Sequence, residues 1–179
     1  MKKIVSVLLA LMLMVSCCAA MGETLELGIT EQEYLDPQFG NFEAVANDGS
    51  IRLKFYVYNT WTPVYEDLEH AGEAVTAMWT FGQDVGFQTL ICQFYTSADL
   101  GGVNTPEDML AFLTGMEFIG DTVTVNGIPA VLYHTEFKEM MGGFYQVEGG
   151  WVNITVSNIT SEDLENEAML MLCSAVDAE

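Results

Sequence analysis

The stretch "NFEAVANDGSIRLKFYVYNTW" (Asn41–Trp61) decides how the chain is read. Asp48-Gly49 is a strong two-residue hairpin turn, because both central positions of the favoured turn need positive φ. A turn there sets Ala46 against Ile51, Ala44 against Leu53 and Phe42 against Phe55. All six are apolar and share one face. The other face pairs Val45 with Arg52 and Glu43 with Lys54. Register and hydrophobic pattern agree, so two antiparallel strands are expected.

The same test works outward along the chain. "TVTVNGIPAVLYHTEF" (Thr122–Phe137) turns at Asn126-Gly127, which puts Val125 opposite Ile128 and Val123 opposite Ala130. Leu132 and His134 continue that face. "GFYQVEGGWVNITVS" (Gly143–Ser157) turns at Gly149-Gly150, with Val147 opposite Val152 and Tyr145 opposite Ile154. Its other face carries Phe144, Gln146, Glu148, Trp151, Asn153 and Thr155. A fourth pair, residues 74–81 and 87–95, flanks "GQDVG". The strand beginning at Phe87 has no polar face, which places it mid-sheet.

Three helices are expected between the hairpins: "TPVYEDLEHA" (Thr62–Ala71), "TPEDMLAFL" (Thr105–Leu113) and "TSEDLENEAMLMLCSAV" (Thr160–Val176). Each opens on Thr as an N-cap, and Pro follows in the first two, where a helix tolerates it best. Acids crowd the first turns and complement the helix dipole. Leu164, Ala168, Met171, Leu172 and Ala175 form an apolar stripe in the last. The order ββ-α-ββ-α-ββ-ββ-α reads as an α+β fold: an antiparallel sheet built from hairpins, with about three helices packed on it.

The 179 residues suit one domain with a core of its own. Its start is different in kind. Lys2-Lys3, an apolar run from Ile4 to Val15, and the small residues Ser16, Ala19 and Ala20 follow the order of a secretory signal peptide. A full membrane span needs about 20 apolar residues. Cleavage after Ala20 would leave residues 21–179 as a single domain, with 1–20 as signal peptide. "Met14-Val15-Ser16-Cys17" also resembles a bacterial lipobox, with Cys17 as the lipidated residue and Met14 in place of the usual Leu. Retention of the segment is the third reading. The expected location is secreted or cell surface, with a lipid anchor open and no span in the mature chain.

Charge narrows the partners. The chain has 26 acids against five Lys plus Arg, a net of −21. Without Lys2 and Lys3, the cations left are Arg52, Lys54 and Lys138, and the net is −23. Such a surface repels nucleic-acid phosphates and anionic headgroups. No nucleic acid is expected among its partners.

Candidate chemistry is sparse. Cys92 sits mid-strand and Cys173 in the last helix; both read first as buried free thiols. A Cys92–His134 nucleophile pair is the sharper alternative, although no helix start or basic neighbour marks Cys92 as activated. His70 lies on an acidic helix. The acid runs at 66–69 and 162–167 lack the alternating oxygen ligands of an EF-hand loop. They read as solvated helix faces, with divalent-cation binding as the alternative. Neither CxxC nor HExxH occurs. No catalytic residue, metal site or cofactor is assigned. The best interaction candidates are Arg52, Lys54, Tyr56 and Tyr58 on one strand, with Phe144 and Trp151 on another. They are core or boundary residues if a helix covers them, and a partner surface if not.

"DGSIRLKFYVYNTW" (48–61), "VNGIPAVLY" (125–133), "GGWVNITVS" (149–157) and "LCSAV" (172–176) together resemble PsbP-like secreted domains over residues 42–176. Tyr58 stands where that family often has Pro. The resemblance implies an exported, non-enzymatic accessory domain and transfers no catalytic residue. The expected function is therefore a non-catalytic accessory or binding domain of a bacterial envelope or extracellular space. Its partner would be a protein or envelope component. A thiol-dependent hydrolase using Cys92 and His134, or a divalent-cation binder, are the alternatives.

Overall fold

A computed structural model describes residues 24–29, 35–47, 50–64, 68, 74–81 and 88–178. An eight-stranded sheet runs in the order β1-β7-β8-β9-β10-β6-β5-β4. Its strands are β1 (Leu25–Leu27), β4 (Trp61–Val64), β5 (Val75–Phe81), β6 (Thr89–Tyr95), β7 (Ile119–Val125), β8 (Ile128–His134), β9 (Met140–Val147) and β10 (Gly150–Ser157). A second sheet holds β11 (Val176–Asp177), β3 (Ser50–Tyr58) and β2 (Gly40–Asn47), in that order. Two helices lie wholly among the described residues, α1 (Pro106–Gly115) and α2 (Glu162–Cys173).

The expected α+β class with about three helices is overturned. Strands take 52% of the described residues, in two sheets, beside two short helices. The misread signal is Thr62-Pro63. It lies in β4, the outermost strand of the large sheet, with Pro63 opposite Trp79. An edge strand tolerates Pro because its outward N–H has no ladder partner to lose. The rest of that expected helix lies outside the described residues, save Leu68, which is helical.

The hairpins form with differing fidelity. The β7–β8 pairing is the expected one, Val125 with Ile128 and Val123 with Ala130. Asn126 and Gly127 both take positive φ, 48° and 82°, as a type I′ turn requires. The β9–β10 pairing is tighter than expected, with Val147 opposite Gly150 and Glu148-Gly149 at the turn. A slip of two residues keeps every side chain on its expected face, because the strand period is two.

The β2–β3 hairpin departs further. Ala46 meets Ile51 as expected, but the register shifts there, and Val45 meets Leu53. The bulge drives Val45 fully into the core, while Ala44 and Ala46 stay exposed. Burying a valine in place of an alanine removes about two more methylene-sized groups from water, at about 0.8 kcal/mol each. That gain favours the bulged register. The turn residues Asp48 and Gly49 lie outside the described residues.

Two cores flank the large sheet. One face packs on the small sheet and α2, through Leu53, Phe55, Leu90, Tyr145, Ile154 and Met171. The Phe55 and Trp79 rings meet edge to face at 5.7 Å, across the two sheets. The other face packs under α1, where Met109 and Leu113 cover Val131, Tyr133, Phe144 and Trp151. Thr105 caps α1 as expected, accepting from the Asp108 N–H. Ser161, one residue later than expected, caps α2.

Gly142 and Gly143 in β9 let two tyrosines cross the sheet. A Cβ on Gly142 would lie 2.4 Å from Tyr133 Cζ, and one on Gly143 would lie 2.6 Å from the Tyr145 hydroxyl. Tyr133 therefore lies over β9 on the α1 side. Its hydroxyl reaches β10, 3.0 Å from Asn153 Oδ1 and 2.7 Å from Thr155 Oγ1. Tyr145 lies over Gly143 on the α2 side and donates to the Leu172 carbonyl.

Candidate ligand groove

α2 ends without glycine, so its last carbonyls need other donors. Tyr145 serves Leu172, the Ile29 N–H serves Cys173, and the Asn126 side-chain amide serves Ala175 at 2.9 Å. The Ser174 hydroxyl donates to the Met171 carbonyl and accepts from the Tyr56 N–H. Four segments of chain thus converge on one helix end and fix its height above the sheet.

Between that helix and β7–β9 a groove of about 190 Å³ remains. Leu27, Val123, Leu132, Met141, Met169 and Leu172 make it apolar. Asp121, His134 and Lys138 supply the polar lining. An engineered apolar cavity of about 150 Å³ holds a benzene ring, so this groove suits one aromatic or branched aliphatic group.

Each polar lining group has a defined setting. His134 Nδ1 lies 2.7 Å from the Thr135 carbonyl. A carbonyl only accepts, so Nδ1 is the donor in this contact. Lys138 sits at φ 55° in the β8–β9 connection and pairs with Glu165 of α2, bridging the sheet to the helix. Asp121 is exposed on β7, opposite Leu132. Cys173 lines the floor; burial pushes its thiol up to about 12.

The structure separates Cys92 from His134. Strands β10 and β9 lie between β6 and β8, so three inter-strand steps intervene, roughly 14 Å. Cys92 is fully buried, and burial pushes its thiol well up. Cys173 and Cys92 are both free thiols. They lie close enough to Tyr145 to help burial raise its hydroxyl far above the usual range.

The six aromatic and basic candidates do not gather on one surface. Trp151 and Phe144 are buried beneath α1, with Trp151 Nε1 donating to the Val103 carbonyl at 3.3 Å. Tyr56 is buried and donates to the Asp36 carbonyl at 2.6 Å. Tyr58 packs edge to face on Tyr56; burial, then Glu167, pushes its hydroxyl to about 12. Arg52 lies over the Phe94 ring and donates to the Glu148 carbonyl. Lys54 is half-buried on β3, between Ala44 and Val176.

In the 162–167 acid run, Glu165 pairs with Lys138 and Glu167 accepts from Trp61 Nε1 at 3.3 Å. Among the described residues no three His, Cys, Asp or Glu side chains gather as a metal site. His70, the acids at 66–69 and the leader with Cys17 lie outside the described residues. Among those described, no helix is long and apolar enough to cross a membrane.

Sequence reasoning missed the groove. One signal pointed to it: Lys138, one of three cations beyond the leader, stands in a chain whose last helix is acidic at its start. No protein-family model matches the chain, and no curated protein matches it in sequence.

Proposed function

We propose that the chain is an exported, non-catalytic binding domain whose ligand enters the groove between α2 and β7–β9. The observation that carries this reading is the groove itself, apolar walls around about 190 Å³ with three polar groups placed on them. Ligand sites are concave and mostly apolar, with a few placed polar groups, and Asp121, His134 and Lys138 fit that description. The PsbP-like resemblance implies the same accessory role. The partner class is a protein or an envelope component.

Titration with the apolar fluorophore N-phenyl-1-naphthylamine tests it. Saturable, blue-shifted emission is expected. Met169→Trp fills the groove from α2 and should abolish the signal while the fold is retained. Absence of saturable emission, or emission indifferent to Met169→Trp, refutes the reading.

A further inference from the structure

Sulfur gathers in the groove. Cys173 and Met169 stand one turn apart on α2, and the thiol donates to the thioether sulfur at 3.8 Å. Met141 of β9 and His134 of β8 line the same groove. They lie directly opposite each other across the two strands, which puts their Cβ atoms about 4.5–5.5 Å apart on one face. The helix side of the groove thus brings two sulfurs, and the sheet side one sulfur and one imidazole.

A sulfur contact by itself is packing. Three observations make these four side chains a donor set. Two sulfurs held by one ion at about 2.3 Å each stand roughly 3.8 Å apart at the tetrahedral angle, so Cys173 and Met169 already have the spacing of a chelate. His134 Nδ1 meets the Thr135 carbonyl at 2.7 Å, the contact that orients a metal-ligating imidazole and leaves Nε2 of the neutral ring with the free lone pair. The charges around the groove also admit a cation. Lys138 is paired with Glu165, Asp121 is exposed, and the whole chain carries a net of −21.

The donors choose the ion. Thiol and thioether sulfur are soft ligands and select Cu(I), whereas calcium, magnesium and manganese take carboxylate and carbonyl oxygen. Zinc takes thiolate, imidazole and carboxylate, and the thioethers offer it nothing.

Taking the groove as the ligand site, as above, we infer that it binds one Cu(I) ion through Cys173 Sγ, Met169 Sδ, Met141 Sδ and His134 Nε2. The ion takes the place of the thiol proton. A Cu–S bond forms, the S–H bond breaks, the proton leaves to water, and no electron moves. Ion and thiolate together are neutral, which suits apolar walls. Met141 and Met169 are flexible thioethers and adjust to the ion by side-chain rotation.

Anaerobic competition against the bicinchoninate complex of Cu(I) tests this on the full chain. The unaltered chain should withdraw one more equivalent of Cu(I) than Cys173→Ser. Met169→Leu or His134→Ala should weaken that equivalent about tenfold or more. Cys92→Ala should match the unaltered chain, and any binding by Cys17 or Cys18 is common to every variant. Retained melting temperature checks the variants. A readout that needs no folded variant is the methionine methyl NMR spectrum. Silver(I), a redox-inert stand-in, should shift the Met169 and Met141 resonances, and zinc should not. No lost equivalent in Cys173→Ser, an affinity unmoved by Met169→Leu and His134→Ala, or methyl resonances indifferent to silver overturn the inference. If the fluorophore binds and Met169→Trp blocks it, yet Cu(I) is not held, the groove reading stands and the copper inference falls. If Cu(I) is held and the fluorophore is not, the ion is the groove's ligand and the apolar one falls. If neither binds, both fall.

Discussion

The phenolic hydroxyl of Tyr145 donates to the main-chain carbonyl of Leu172 at 2.6 Å, joining the middle of the large sheet to the last turn of α2. Both groups are buried, so neither has water as an alternative partner. Tyr145→Phe keeps the ring and orphans the carbonyl, which should destabilise the protein by about 1–3 kcal/mol. Urea unfolding should show a lower midpoint with an unchanged slope. An unchanged midpoint would mean that the carbonyl finds another donor.

Gly142 and Gly143 make room for the two tyrosines, on opposite faces of one strand. Gly142→Ala places a methyl within 2.4 Å of Tyr133 Cζ, and overpacking of this kind costs about 1–3 kcal/mol. Combining Gly142→Ala with Tyr133→Ala removes the clash. The two losses should therefore be less than additive in a double-mutant cycle. Strict additivity would show that the ring does not press on that position.

Asn126 has two tasks, a left-handed turn residue and a side-chain donor to Ala175. Asn126→Gly keeps the turn and loses the donor. Asn126→Ala loses both. The glycine variant should cost about 1 kcal/mol, from the hydrogen bond. The alanine variant should cost about 1–2 kcal/mol more, from the strained backbone. Equal melting temperatures for the two variants would contradict this division.

Glu167 is half-buried on α2, and its carboxyl is raised above the ordinary glutamate range. Burial is the main cause and Asp163 adds to it, while hydrogen bonds from Trp61 and Thr60 act the other way. With the folded value raised, the unfolded chain releases this proton first. Stability from this group is therefore full below the ordinary glutamate range and falls as pH rises through that range to the raised value. Glu167→Gln should flatten the fall in urea midpoint over that window. Parallel pH profiles for the two proteins would exclude the effect.

The thiols of Cys92 and Cys173 are buried and held neutral by that burial. A thiol-specific disulfide reagent should leave both unmodified in the native protein and label both in denaturant. The native labelling rate should track the unfolding rate rather than thiolate chemistry. Rapid native labelling of Cys92 would instead restore the thiol-enzyme reading.

Much of the architecture was legible where a local rule fixed it. Asn126-Gly127 sets φ at two residues and the register of the fourteen around them, so β7–β8 formed as read. Thr105-Pro106 is likewise a complete local instruction, and it begins a helix. Thr62-Pro63 carries the same letters but lies at a sheet edge, and position in the sheet is not a local property. The β2–β3 bulge was hidden for a related reason. Alanines give a weak facial signal, so the core chose Val45 instead.

The candidate site was almost wholly illegible. Its walls come from Leu27, β7, β8, β9 and α2, more than 140 residues apart along the chain. Sequence by itself determined the Asn126-Gly127 turn, the Thr105 cap, the strong negative charge and the faces of most strands, because each depends on composition or on neighbours a few residues away. Tertiary structure decided the strand order, the burial of Trp151 and Phe144, the separation of Cys92 from His134, and the groove. Those follow from which surfaces meet, and packing of distant segments sets that.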